Sequence, residues 1–138
     1  MGTKNIHIEA TKLSIDGKEI ELDYSLASFA YLSEVYGDLG KIFSLANTDG
    51  KDMKQLMSRE FLDAIANLIY AGAMRCDAEK LDEGKSFREA DTSGLSPSKI
   101  LVKIKLADIP IISKQIAEAM NKAMPPADPT IAGGNPAK

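Results

Sequence analysis

The sequence predicts an α+β fold that is mainly α-helical, with an N-terminal β-hairpin packed on a small bundle of about four to five helices. Apolar and polar residues alternate on both sides of Asp16-Gly17 near the start of the chain. Further along, apolar residues recur at helical spacing between Ser, Asp, Gly and Pro residues that start and stop helices. We expect one domain over residues 1–124 and a disordered tail over 125–138.

The hairpin prediction depends on a period of two. Apolar positions before the turn are Ile6, Ile8, Ala10, Leu13 and Ile15. Ile20 and Leu22 continue the alternation after Asp16-Gly17, a dipeptide that favours a two-residue turn because Gly adopts positive φ without strain. Since an isolated hairpin is unstable in water, its apolar face should lie on the helices.

The first helix is predicted to start at an N-cap, Asp23 or Ser25, and to end at Gly37, a residue type that suits the left-handed C-cap position. Its predicted apolar face consists of Leu26, Phe29, Leu32 and Tyr36, with Ala30 and Val35 beside it. This face should pack on the rest of the bundle.

Two shorter signals precede the clearest helix of the chain. A short helix is expected over 41–46, and Asp52 followed by Gln55 has the spacing of a capping box. Ser58 should then cap a long helix over 59–75. The apolar stripe of that helix is Phe61, Leu62, Ile65, Leu68 and Ile69.

Residues 77–96 show no clear periodicity and carry most of the excess negative charge. Leu81, Phe87 and Leu95 are the large apolar side chains that could fix this stretch to a core. We interpret it as a long, partly mobile acidic loop, which in a compact domain is often functional or disordered.

Ser96-Pro97 restarts regular structure, since Ser is a good N-cap and Pro suits the first helical position. The alternation over 99–106 allows either a strand or a short helix, and the cap favours the helix. Asp108 should cap a last helix over 109–124, which Pro125-Pro126 ends. Its stripe is Ile109, Ile112, Ile116, Ala119, Met120 and Ala123. The tail has too little apolar surface to pack.

Composition narrows the class of protein. The chain has 138 residues, a formal net charge of −3 and one cysteine, Cys76. A single cysteine cannot form an internal disulfide, which favours a reducing cytoplasm. No run of about 20 apolar residues is present, so we expect no membrane span.

The sequence does not predict an enzyme. His7 is the only histidine, and neither it nor Cys76 has a catalytic partner nearby in the sequence. The acidic stretch lacks the ligand spacing of an EF-hand. There is no phosphate-binding glycine loop or nucleophile elbow. We therefore expect no catalytic residues, no cofactor and no metal site.

Nucleic-acid binding is a weaker hypothesis. The last third is basic, with Lys99, Lys103, Lys105, Lys114 and Lys122. However, the chain has three arginines, no tryptophan and no aromatic residue after Phe87, whereas nucleic-acid surfaces combine basic and aromatic side chains. A solvated helix face is the simpler interpretation.

The order of segments carries a resemblance to a known family. The segments are Gly17-Lys18-Glu19-Ile20-Glu21-Leu22 entering a helix, Leu32-Ser33-Glu34-Val35-Tyr36-Gly37-Asp38-Leu39, then Leu68-Ile69-Tyr70-Ala71-Gly72-Ala73, and a last helix from Asp108-Ile109-Pro110. This order resembles the tail assembly chaperones of long-tailed bacteriophages and related prophages, over about residues 18–124. The chain departs from the family in its long 77–94 loop and extended N-terminal strand.

The resemblance implies a small helical protein of the host cytoplasm that coats the tape measure protein during tail building, recruits tail tube subunits, and is absent from the mature virion. Such a chaperone needs adaptable apolar helix faces, and flexible methionines suit them. We expect a partner helix to bind in a groove formed by the last helix and the small-residue end of the 59–75 helix. The candidate contact residues are Ile112, Ile116, Met120, Gly72 and Met74.

Coating a polymer further predicts weak self-association by head-to-tail contacts, helped by an exposed edge of the hairpin. Two alternatives from other classes are a structural virion component, such as a tail or connector protein, and a small nucleic-acid-binding regulatory protein. Mass spectrometry of mature particles would identify the first. A salt-dependent shift of duplex DNA would identify the second.

Overall fold

The computed structural model describes residues 11–15 and 17–123, and these are called the described residues below. Strands β1 (Thr11–Ile15) and β2 (Lys18–Leu22) form a two-stranded antiparallel sheet. The helices that follow are α1 (Leu26–Tyr36), α2 (Leu39–Ala46), α3 (Met53–Leu56), α4 (Arg59–Ala73), α5 (Ala78–Asp82), α6 (Phe87–Ala90), α7 (Pro97–Leu101) and α8 (Ile109–Ala123), with a 3₁₀ turn, Leu106–Asp108, before α8. The predicted α+β, mainly helical fold is confirmed.

The hairpin has the predicted register. Leu13 pairs with Ile20 and Ile15 with Lys18, which leaves a two-residue turn in which Gly17 has a φ of 79°. Leu13 and Leu22 are almost fully buried, because β1 packs on α8 and β2 packs on α4. The part of the predicted strand before Thr11, with His7, lies outside the described residues, as does the tail.

Helix α4 is the centre of the molecule and contacts α1, α2, α3, α7, α8 and β2. Ser58 accepts a hydrogen bond from the Phe61 N–H and caps the helix, as predicted. Most of the predicted stripe is buried, but burial extends around the helix, and the buried residues are Phe61, Ala64, Ile65, Ala66, Leu68, Ile69, Tyr70, Ala71, Gly72 and Ala73. The alanines and the glycine allow neighbouring elements to pack on several sides.

The ends of α1 are as predicted, and its apolar face is predicted in part, since Leu32 is buried and Phe29 and Tyr36 pack on the core. Ser25 forms a capping box with Ser28, and Gly37 has the left-handed φ of 81°. Leu26, however, is 87% exposed, while Tyr31 is buried. The Tyr31 hydroxyl donates to Asn67 Oδ1 on α4 at 2.6 Å. This long-range polar contact adds Tyr31 to the face of α1 that packs on α4.

The interpretation of residues 77–96 as a long loop is wrong, because the segment contains regular structure. The segment contains α5 and α6. A β-bridge between Cys76 and Asp91 joins the two ends of its first part, residues 77–91. The Asp77 N–H donates to the Ala90 carbonyl at 2.8 Å, and the Thr92 N–H donates to the Arg75 carbonyl at 2.8 Å. Residues 77–91 therefore form a compact excursion from the end of α4, and these hydrogen bonds close its base.

Ser96 and Pro97 start α7, so the helix is the correct alternative for the start of residues 99–106. The chain then turns and forms the 3₁₀ turn Leu106–Asp108, which runs directly into α8. Asp108 is thus the last residue of this turn and not an extended N-cap, which corrects the prediction. The α8 stripe is confirmed, since Ile109, Ile112, Ile116, Ala119 and Met120 are all buried.

Candidate functional site

An open groove runs between α2 and α8, with α4 at its floor. Its volume is about 440 Å³. The lining residues are Phe43, Ala46, Asn47, Thr48, Ile65, Leu68, Pro110, Ser113, Lys114, Ile116, Ala117 and Met120. The exposed surface of the lining is mostly apolar. Grooves with these properties between helices accept an apolar helix face.

Two of the five predicted contact residues line this groove. Ile116 and Met120 face it from α8, but they are only 4% and 7% exposed because the opposite sides of their side chains pack in the core. Ile112 lies on the same stripe and is buried outside the lining. The periodicity of α8 therefore located the helix that forms one wall.

Gly72 and Met74 lie elsewhere. Gly72 packs against the hairpin, where a Cβ atom would lie 2.8 Å from Cζ of Tyr24 and 3.1 Å from Cδ2 of Leu22. Met74 is 3% exposed and belongs to the core. The small-residue end of α4 therefore does not form the predicted partner groove with α8, because Leu22 and Tyr24 of the same chain cover it.

Two exposed apolar residues of the groove were not singled out from the sequence. Phe43 is 37% exposed and forms the α2 wall. Ala117 is exposed and leaves space on the α8 wall. Phe43 was the one residue that the sequence could have indicated, since it is an aromatic residue on the predicted short helix. The position of Ala117 in the groove depends on the spacing of α2 and α8, which the sequence does not show.

The polar groups at the groove are few. The Ser113 Oγ atom is inaccessible to solvent and has no hydrogen-bond partner among the described residues. Lys114 is the charged residue of the lining and makes no ion pair within the described part of the chain. Because Ser113 Oγ is inaccessible, Lys114 is the charged group that an occupant can reach, and a carboxylate on the occupant would pair with it.

A second, smaller apolar groove lies on the other side of Ile65, which lines both. Its volume is about 200 Å³, and its lining residues are Met57, Leu62, Ile65, Leu101, Ile104, Lys105, Leu106 and Ile109. Met57 is 58% exposed, and Met53 on α3 is equally exposed. Met53 and Met57 thus lie on the surface, whereas Met74 and Met120 are core residues.

The titratable groups with shifted pKa values cluster away from the groove. Burial and the nearby Asp91 carboxylate raise the pKa of the Cys76 thiol, which donates to the Phe87 carbonyl at 3.4 Å. A raised pKa disfavours the thiolate that a nucleophile needs. Across residues 11–15 and 17–123, no group of three or more His, Cys, Asp or Glu side chains is arranged to hold a metal ion.

The fold and the groove define the class of this protein as a small α+β domain with helix-lined apolar grooves. No protein-family model, curated protein or solved structure matches the chain. Within the described residues, each helix is too short or too polar to cross a bilayer.

Proposed function

We propose that this protein is a tail assembly chaperone of a long-tailed phage or prophage and that it binds a helix of the tape measure protein in the α2–α8 groove. The observation that supports this most is the groove itself, which is open, mainly apolar and bounded by two helices. The order of segments that resembles the family supports the same function.

The groove fits an amphipathic helix better than a flat protein surface. Phe43 and Ala117 offer exposed apolar contacts on opposite walls, and Ile65 and Leu68 close the floor. A helix about 10 Å wide places residues of one face into such a groove at the i, i+3, i+4 and i+7 positions. Since a tape measure protein is a long apolar helical polymer, binding of this kind would cover the surface through which it aggregates.

The remaining parts of the proposed function follow from the resemblance to the tail assembly chaperones. The chaperone coats the tape measure protein in the host cytoplasm, recruits tail tube subunits to it, and leaves before the particle is mature. A structural virion component would share the fold but would be found in purified particles by mass spectrometry.

The test is a substitution that fills the groove without touching the core. Ala117→Glu is expected to weaken binding to the tape measure protein at least about tenfold, or about 1.4 kcal/mol, because the new carboxylate occupies the apolar space between the walls. Ile116→Asp is unsuitable, since Ile116 is a core residue and a buried charge would destabilise the fold. Co-purification from cells that express both proteins gives the readout.

Ala30→Glu is the matched control, because Ala30 is exposed on α1 and does not line the groove. Both variants should keep the wild-type circular dichroism spectrum and melting temperature. Equal binding by wild type and Ala117→Glu would contradict the groove as the binding site. No binding of the tape measure protein by the wild type would contradict the function.

A further inference from the structure

A third cleft, between the hairpin and α7, has a different chemistry from the two apolar grooves. It has a volume of about 250 Å³ and is lined by Ile15, Lys18, Glu19, Ile20, Ser93, Leu95, Lys99, Ile100 and Lys103. Four apolar side chains form its floor, and three lysines and one glutamate form its rim. The cleft shares no lining residue with the α2–α8 groove.

The rim is positively charged, and its lysines are not neutralised by ion pairs. Lys18, Lys99 and Lys103 make no ion pair in the described part of the chain, although Glu19 lines the same cleft. The Lys99 ammonium group donates to the Gly94 carbonyl at 3.0 Å, which holds its charge at the cleft. No acidic residue occurs between Thr92 and Ala107. The cleft therefore favours a negatively charged occupant with an apolar group.

The compact excursion of residues 77–91 supplies such a group on the same molecule. It contains six carboxylates and three basic side chains. Three of the carboxylates are used within the chain, since Asp77 and Glu89 cap α5 and α6 and Asp91 closes the base. Glu79, Asp82 and Glu83 are exposed and make no hydrogen bond or ion pair through their side chains within the described residues. Leu81, which is partly exposed, lies among them.

We propose that the cleft between the hairpin and α7 binds the 79–83 turn of a second copy of this chain, which is the C-terminal turn of α5 with its C-cap Glu83. Leu81 then lies on the apolar floor, and Asp82 and Glu83 lie beside the lysines of the rim. The donor and acceptor surfaces are different parts of the molecule, so the contact is heterologous and repeats from one subunit to the next. It lies apart from the α2–α8 groove, so an array of subunits can present its grooves to a long partner.

Other occupants fit the cleft less well. Small-molecule sites usually have volumes of roughly 300–1,000 Å³ and bury most of the ligand surface, whereas this cleft has a volume of about 250 Å³. A single-stranded nucleic acid needs aromatic residues for stacking, and none lines this cleft. Because exposed ion pairs contribute little individually and are screened by salt, the self-association should be weak and should decrease as the salt concentration rises.

The proposal is tested by complementary charge reversal. One variant carries Lys18→Glu with Lys103→Glu, and the other carries Asp82→Lys with Glu83→Lys. In sedimentation velocity at low salt, the wild type should self-associate, and each variant alone should associate at least about tenfold more weakly because like charges then face each other. An equimolar mixture of the two variants should associate again, because the acidic cleft of one accepts the basic turn of the other.

A control with the same change in charge is Lys41→Glu with Lys54→Glu, since both lysines are exposed and line none of these clefts. The control should associate like the wild type, and all variants should keep the wild-type circular dichroism spectrum. A strictly monomeric wild type at low salt, an equal loss in the control, or no recovery in the mixture would each overturn the proposal. The experiment contains no tape measure protein, so its result is independent of the proposed function.

Discussion

Replacing Asp91 with alanine is expected to lower the free energy of unfolding by about 2–3 kcal/mol. The loss of four fully buried hydrogen bonds would cost more, but the Asp91 carboxylate is partly exposed. Asp91 accepts four hydrogen bonds that close the base of the 77–91 excursion: from the Tyr70 hydroxyl at 2.9 Å, the Arg75 N–H at 2.8 Å, the Ser93 N–H at 3.0 Å and the Ser93 hydroxyl at 2.7 Å. The variant leaves the Tyr70 hydroxyl without its partner. Urea unfolding measures the difference.

The same carboxylate predicts a pH dependence. Partial burial alone would raise the pKa of Asp91, but hydrogen bonds from the Arg75 and Ser93 N–H groups and from the Ser93 and Tyr70 hydroxyls outweigh it and lower the pKa. The ionised form therefore stabilises the folded chain at pH values above the unfolded-state pKa of about 3.9. This contribution is lost as pH falls from there through the lower pKa of the folded state.

Asp82→Ala is the matched control, because Asp82 is an exposed carboxylate that makes no ion pair within the described residues. Its effect should remain within about 0.5 kcal/mol. If Asp91→Ala and Asp82→Ala lowered the free energy of unfolding equally, the hydrogen-bonded base would not stabilise the excursion.

Replacing Gly72 with valine is expected to destabilise the fold by about 3 kcal/mol, near the upper end of the usual cost of overpacking. A Cβ atom at this position would lie 2.8 Å from Cζ of Tyr24. The ring cannot move away easily, because its hydroxyl donates to the Leu68 carbonyl at 2.6 Å. The hairpin is also fixed here by the Asp23 N–H, which donates to the Gly72 carbonyl at 2.9 Å. Thermal and urea unfolding would measure the loss.

Gly40→Ala serves as the comparison, since Gly40 lies in the first turn of α2 and its nearest neighbour would be the exposed Asp38 side chain at 3.3 Å. The Asp38 side chain caps α2 by accepting from the Gly40 N–H at 2.8 Å, and it needs to move by only a few tenths of an ångström. Alanine also favours a helix over glycine by up to about 1 kcal/mol. Gly40→Ala should therefore not destabilise the protein. Wild-type stability of Gly72→Val would show that the hairpin does not need a close approach to α4.

Local signals in the sequence predicted most element boundaries. Ser25, Asp52, Ser58 and Ser96 all cap the helices that they were expected to cap, because a capping hydrogen bond involves residues only two or three positions apart. The stripe of α8 was predictable for a similar reason, since helical periodicity is a property of one segment.

Features that depend on distant residues were not predictable. The burial of Tyr31 on α1 involves its contact with Asn67, which is 36 positions away. The closed base of residues 77–91 depends on the hydrogen bond between Tyr70 and Asp91, which are 21 positions apart. The groove shows the same difference between local and long-range features. Ile116 and Met120 were predicted from the stripe of α8, whereas Phe43 and Ala117 line the same groove only because the fold brings α2 and α8 together.

The central claim is that the α2–α8 groove receives a helix of the tape measure protein, and site-specific photo-crosslinking in cells that express both proteins tests it most directly. A photoreactive residue at position 117 is expected to crosslink to the tape measure protein, with the crosslinked peptide mapping to an apolar helical segment. The same residue at position 30 on α1 should give no such product. Equal crosslinking from both positions, or crosslinking from position 30 alone, would contradict the claim.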